Sequence, residues 1–136
     1  MTPLTILLII KIGVTLVTVS IPFLVLPKAK IDNVLGVETN SPAIYRLYGV
    51  AITALLVGYS GGIHQIAQGI YPIGVIAMGL FSNAGAATAL FATKLYKRTR
   101  FLFVFFAFIA LGLLVAAFAP DWSISPILGS ASAPAP

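Results

Sequence analysis

The sequence predicts an all-α integral membrane protein: a bundle of four transmembrane helices with both termini on the non-cytoplasmic side. Three observations predict it. Of the 136 residues, 60% are hydrophobic and only 8% charged, with a mean hydropathy of +1.08. A soluble domain carries about 25% charged residues. So few charges could not cover a globular surface, and lipid has to be the solvent for most of the chain. Second, apolar stretches of membrane-crossing length recur at residues 4–26, 42–61, 71–96 and 99–119, against the roughly 20 residues that a span needs. Third, Lys28, Lys30, Arg46, Lys94, Lys97, Arg98 and Arg100 all fall at the ends joined by the first and third loops, while the termini and second loop hold no Lys or Arg. Cytoplasmic loops carry the excess of basic residues, so loops 27–41 and 94–100 are expected in the cytoplasm of a bacterial inner membrane. Three or five spans would scramble this pattern.

Composition excludes several function classes. Cysteine is absent, which removes disulfides, thiolate catalysis, iron–sulfur clusters and Cys-type zinc sites. The net charge of +5 sits at the ends of apolar stretches, where orientation signals belong, and not in a nucleic-acid-binding patch. Residues 1–122 read as one membrane domain, and residues 123–136, rich in Ser, Ala and Pro, as a tail that would be disordered by itself.

The first segment, residues 4–26, is read as a retained helix and not a cleaved leader: Met1–Pro3 lacks Lys and Arg and no A-x-A site follows. Pro22 is expected to bend it. Residues 27–41 read as a loop. Ser41 and Pro42 supply an N-cap and a first helical position for the second helix, which the glycines from Gly58 to Gly62 are expected to end. His64, Gln65 and Gln68 then lie on an uncharged second loop. The third segment, 71–96, is crowded with small residues: Gly79, Ser82, Ala86, Ala89 and Thr93 recur at spacings of three and four, a seam for close helix approach. Gly49, Thr53, Leu56 and Ser60 offer a matching seam on the second helix. The fourth segment carries Phe101, Phe103, Phe105, Phe106 and Phe108 and is expected at the periphery, facing lipid or another subunit. Pro120 stops it, and Asp121-Trp122 come next as an interfacial anchor.

Few residues could carry chemistry. Lys11 lies within the first span, about 10 Å below its outer end, and Thr15, Thr18 and Pro22 continue its face. An intramembrane charge is a functional-site candidate by default; snorkelling to the headgroups or pairing with Asp121 is the plainer alternative. Asn83 can hydrogen-bond across the bundle, as structural glue or as a ligand contact. Arg46, flanked by Tyr45 and Tyr48, is an interfacial group. His64, the one histidine, forms with Gln65, Gln68, Tyr59 and Tyr71 an aromatic, polar cluster that serves as a solvated loop, a subunit contact or a quinone-headgroup contact. One imidazole without Cys or nearby carboxylate makes no metal site. No nucleophile has a base near it in sequence, so no enzyme is expected.

The run Pro42-Ala43-Ile44-Tyr45-Arg46-Leu47-Tyr48-Gly49 resembles an Arg-x-x-Gly-like element at the start of the second helix of small bacterial DoxX-like membrane proteins. That resemblance implies a four-helix bundle associated with oxidoreductase or respiratory partners, and it carries over no catalytic residue. Two functions emerge as expectations. The first is a non-catalytic accessory subunit of a larger membrane complex, respiratory or photosynthetic, whose partners are membrane lipids and other subunits. The alternative is a small transporter or ligand-binding bundle using Lys11, Asn83 and Tyr59. No cofactor is predicted, and a bound lipid, quinone or pigment stays open.

Overall fold

The computed structural model describes residues 1–127; most of the 123–136 tail lies outside the described residues. Six helices succeed one another: α1 (Pro3–Val25), α2 (Lys28–Leu35), α3 (Ala43–Ala67), α4 (Ile73–Ala92), α5 (Arg100–Phe118) and α6 (Pro120–Ile124). Helices α1, α3, α4 and α5 are long and apolar enough to cross a membrane. No strand occurs among the described residues.

Helix α1 starts under a Thr2 cap, whose hydroxyl accepts from the Thr5 N–H at 3.1 Å. Its α-geometry breaks at a π turn, Leu16–Ser20. Pro22 explains the position. It has no N–H for the Thr18 carbonyl, and its ring would press on that carbonyl in a regular helix. The wider turn, closed by the Ile21 N–H on the Leu16 carbonyl, relieves both problems. It also rotates the C-terminal part of the helix. Lys11 and Thr15 are buried, but the next buried positions are Val19 and Ser20. Thr18, expected to extend the polar stripe inward, is exposed and donates to its own helix at the Val14 carbonyl, 2.7 Å away.

Residues 27–41, expected as a loop, contain α2. Ile31 is its one buried side chain, and Gly36 ends it in the left-handed region at φ 68°, donating to the Asp32 carbonyl at 2.7 Å. The guanidinium of Arg98 lies where a Cβ on Gly36 would stand, and its Nη1 reaches the Asn33 carbonyl at 3.3 Å. Loops one and three therefore meet. At the opposite end the Ile127 N–H donates to the Met1 carbonyl at 3.1 Å.

Helix α3 starts at Ala43, with Pro42 and not Ser41 in the cap position; the Ala43 N–H still meets the Ser41 hydroxyl at 3.2 Å, and the helix does not end at its glycines. It runs through Gly58, Gly61 and Gly62 to Ala67. Each glycine costs about 1 kcal/mol of helix propensity, yet Gly58 lets Met78 approach and Gly62 lets Val75 approach. An apolar surround also offers nothing to take a released backbone group. These glycines, and not the Gly49–Ser60 row, face α4. Gly49 instead admits Leu24 of α1, the Thr53 hydroxyl meets that of Ser20 at 2.6 Å, Leu56 is buried, and Ser60 is exposed.

The α4 seam closes at one end only. Gly79 is buried against Leu113 and Tyr59, Ser82 and Ala86 are half-buried, and Ala89 and Thr93 are exposed. Helix α5 is not peripheral. It packs along α4 and buries Phe105, Phe106, Ile109, Leu113 and Ala116, while Phe101 and Phe108 are exposed. Beyond Ala119 the chain folds back as α6, where Ser123 is fully buried and donates to the Pro120 carbonyl.

Candidate binding site at Lys11

Lys11 points inward from α1 and is 5% exposed. Its ammonium lies 4.5 Å from the Phe106 ring centroid, 5.5 Å from Phe105 and 5.9 Å from Tyr59. The adjacent phenylalanines of α5 and the tyrosine of α3 thus form an aromatic cage around it. Each ring contributes roughly 0.5–2 kcal/mol, and a lysine at a helix centre in a membrane costs roughly 2.5–3.5 kcal/mol. The cage can offset the charge, but rings accept no strong hydrogen bond. Among the described residues Lys11 makes no ion pair, with Asp121 or any other acid; the ion pair that forms is Lys28–Asp32. Burial also rules out the snorkelling alternative for this side chain.

One turn further on, the Thr15 hydroxyl is buried without a partner. Both groups face a cavity of about 30 Å³ whose other walls include Ile52, Tyr59, Ser82 and Phe106.

Tyr59, which the sequence offers both to the His64 cluster and to a site with Lys11 and Asn83, belongs here. It is 1% exposed. Asn83 donates from Nδ2 to the Tyr59 hydroxyl at 3.0 Å and to the Gly79 carbonyl at 2.7 Å, and the Tyr59 hydroxyl lies 3.0 Å from the Ser82 Oγ. The Gly79 carbonyl fixes the amide orientation, because only the nitrogen can donate to it. The Asn83 Oδ1 is left buried and unpartnered. This chain of bonds holds the Tyr59 ring upright against the lysine.

Below the cavity a groove of about 210 Å³ runs toward the basic end, lined by Val19 and Phe23 of α1, Ala89 and Leu90 of α4, and Leu102 of α5. Tyr48, Ala86 and Phe106 border both spaces. Helices α3 and α4 approach each other near their connecting loop, at Gly58, Tyr59 and Gly62. Farther away, Tyr48 is 46% exposed.

The other predicted residues lie elsewhere. His64 is in the last turn of α3, exposed, with its Nε2 3.2 Å from the Gln68 Nε2. Tyr71 donates to the Ala116 carbonyl at 2.7 Å. The expected His64 cluster is therefore not assembled. Arg46 does more than sit at an interface: its Nη1 and Nη2 donate to the Phe23 and Leu26 carbonyls at 2.7 and 2.9 Å. It caps the C-terminal end of α1 with a positive charge, where the helix dipole favours one. Beside it Asp32 accepts from Lys28, Tyr45 and Thr39. The hydrogen bond from Lys28, then that from Tyr45, holds the Asp32 carboxyl below its ordinary 3.8. The same bond to Asp32 raises Lys28.

No family model matches the chain, and neither does any curated protein or solved structure. The chemistry has to be read from the geometry. A caged ammonium beside a free hydroxyl can donate hydrogen bonds to an acceptor oxygen. Phe105 and Phe106 are the members that sequence reasoning missed. The available signal was their depth: they lie within the span, as Lys11 does, at a level where lipid alone would not select a cation.

Proposed function

We propose that this chain is a four-helix membrane bundle that binds the polar head of an amphiphilic small molecule at Lys11. The observation that carries the reading is that Lys11, a buried residue with no ion pair among the described residues, and the buried, unpartnered Thr15 hydroxyl line one cavity. Buried charges in proteins are paired or hydrogen-bonded, and an ionisable group inside a membrane marks a ligand or ion path by default. Asn83 positions Tyr59, and Tyr59 positions the charge. The seven basic residues at the end shared by loops one and three support a cytoplasmic placement of that end, with both termini outside.

The test is extraction of small molecules from protein purified in mild detergent, wild type against Lys11→Met, with mass spectrometry as the readout. An amphiphile in near-stoichiometric amount with wild type, and absent from an equally folded variant, is the expected result. Equal content in the two, or none in either, refutes the reading.

The accessory-subunit reading rests on a different observation. Gly74 and Gly85 of α4 are exposed with nothing near the position of a Cβ, and Ala77, Ala84 and Thr88 are exposed on the same helix. Small residues facing outward favour another helix over lipid. The DoxX-like resemblance at Arg46 and Gly49 belongs with this reading. Co-purification with a larger complex in fixed stoichiometry supports it, and a free monomer in native mass spectrometry overturns it.

A further inference from the structure

We infer that the occupant of the Lys11 site is the carboxylate of a single-chain amphiphile, a long-chain carboxylic acid whose apolar tail lies in the groove beneath. This rests on the binding reading above and names its ligand class.

Three features select it. The first is charge. Lys11 brings a formal positive charge into an apolar setting with no acid among the described residues to balance it. A neutral carbonyl, such as a quinone oxygen, would accept a hydrogen bond and leave that charge in place. A carboxylate removes it, and charge-assisted hydrogen bonds are about twice as strong as neutral ones.

The second is the donor count. The cavity is lined by two separate donor groups: the Lys11 ammonium, which makes no ion pair among the described residues, and the Thr15 hydroxyl, which is buried without a partner. A carboxylate offers two oxygens, one for each. The hydroxyl of Tyr59 is already engaged with Asn83 and Ser82.

The third is size. The space at Lys11, about 30 Å³, is the smaller of two adjoining ones and suits a small polar head. The adjoining space of about 210 Å³ is lined at Val19, Phe23, Leu90 and Leu102 by hydrocarbon side chains. Its junction with the cavity lies at Tyr48, Ala86 and Phe106, so head and tail can be one molecule. The direction also fits. Lys11 is about 12 Å along α1 from Pro3 by the helical rise, and the groove runs onward from it, away from the termini. A lipid tail entering from that leaflet runs the same way.

The experiment uses the full chain in nanodiscs with three probes: palmitate, 1-hexadecanol and a decyl-quinone. Binding of each is measured directly, as retention of the labelled probe by loaded over empty nanodiscs. Palmitate is expected to bind, with hexadecanol weaker on the order of tenfold or more. Lys11→Met abolishes palmitate binding, and Ala89→Phe, which fills the groove away from the charge, weakens it. The acid-for-alcohol comparison is made on the wild-type chain, so it stands even if a variant fails to fold. Equal affinity for palmitate and hexadecanol overturns the carboxylate assignment. Lys11-dependent binding of the decyl-quinone without palmitate overturns the ligand class and leaves the binding reading intact. No probe bound, and no amphiphile co-extracted, overturns both.

Discussion

Replacing Arg46 separates two roles that a basic residue at the end of a span can have. Its guanidinium donates to the Phe23 and Leu26 carbonyls at 2.7 and 2.9 Å, the groups a helix C-terminus leaves without intrahelical partners. A hydrogen bond from a charged group contributes roughly 1.5–3 kcal/mol, and a cation at a helix C-terminus adds roughly 0.3–1 kcal/mol. Arg46 is half-buried, so water and headgroups replace part of what is lost. Arg46→Leu should then cost about 2–3 kcal/mol. Arg46→Lys keeps the charge but not the planar fork, can serve one carbonyl at a time, and should cost about 1 kcal/mol. Reversible unfolding in mixed detergent micelles, monitored by far-UV circular dichroism, reads both. Six basic residues remain on that side in Arg46→Leu and all seven charges in Arg46→Lys, so orientation should not change; accessibility labelling at Lys97 checks this. Arg46→Leu within about 0.5 kcal/mol of wild type, or Arg46→Lys as stable as wild type, would refute the capping argument.

Three further outcomes are expected. Gly79→Ala places a Cβ 2.6 Å from the Leu113 Cδ1 and 3.1 Å from the Tyr59 ring and should cost about 1–3 kcal/mol; Gly85→Ala, with nothing nearby, should be neutral or slightly stabilising in the same unfolding assay. A double-mutant cycle on Ser20→Ala and Thr53→Val should give a coupling of about 0.6–1.7 kcal/mol, and a value near zero would mean the hydroxyls do not join α1 to α3. The Asp32 carboxyl is depressed in the folded state, chiefly by its bond from Lys28, so its contribution is present above the unfolded aspartate value and drains away as pH falls through the lower folded one. Lys28 is raised by the same bond, so its contribution is fully present below its ordinary 10.5 and lost as pH climbs through the folded value. Amide exchange across Lys28–Leu35 between acid and neutral pH should track the Asp32 titration in wild type and lose that dependence in Asp32→Asn.

The long elements were legible because apolar length is a signal that survives any packing: four helices long and apolar enough to cross a membrane follow from composition. What the sequence hid depends on neighbours. Gly58 and Gly62 read as a helix end on propensity, and only the approach of Met78 and Val75 explains why the helix continues. Helix α2 spans eight residues, too few for a periodic pattern, and its Lys28–Asp32 pair reads as a polar loop until Ile31 is seen buried. The Phe-rich α5 looked lipid-facing because aromatic rings suit lipid, core and cation alike. At the site, Lys11 and Asn83 stood out as polar groups in apolar stretches. Phe105 and Phe106 did not, because nothing in their own neighbourhoods reveals that they converge with Tyr59 on one atom.

The π turn in α1 acts as a phase offset. With a regular helix through Leu16–Ser20, the half bearing Lys11 and the half bearing Ser20 would differ by about one residue's rotation, roughly 100°. One face would then meet its partners while the other turned outward. Deleting Val17 would remove the offset without changing any group named in the site. The chain would still be long enough to span, yet it would have to choose between seating Lys11 in its rings and seating Ser20 on Thr53. The extra residue is what lets one helix satisfy two unrelated sets of neighbours, so the spacing between Thr15 and Ser20 constrains this chain as strongly as the identity of either.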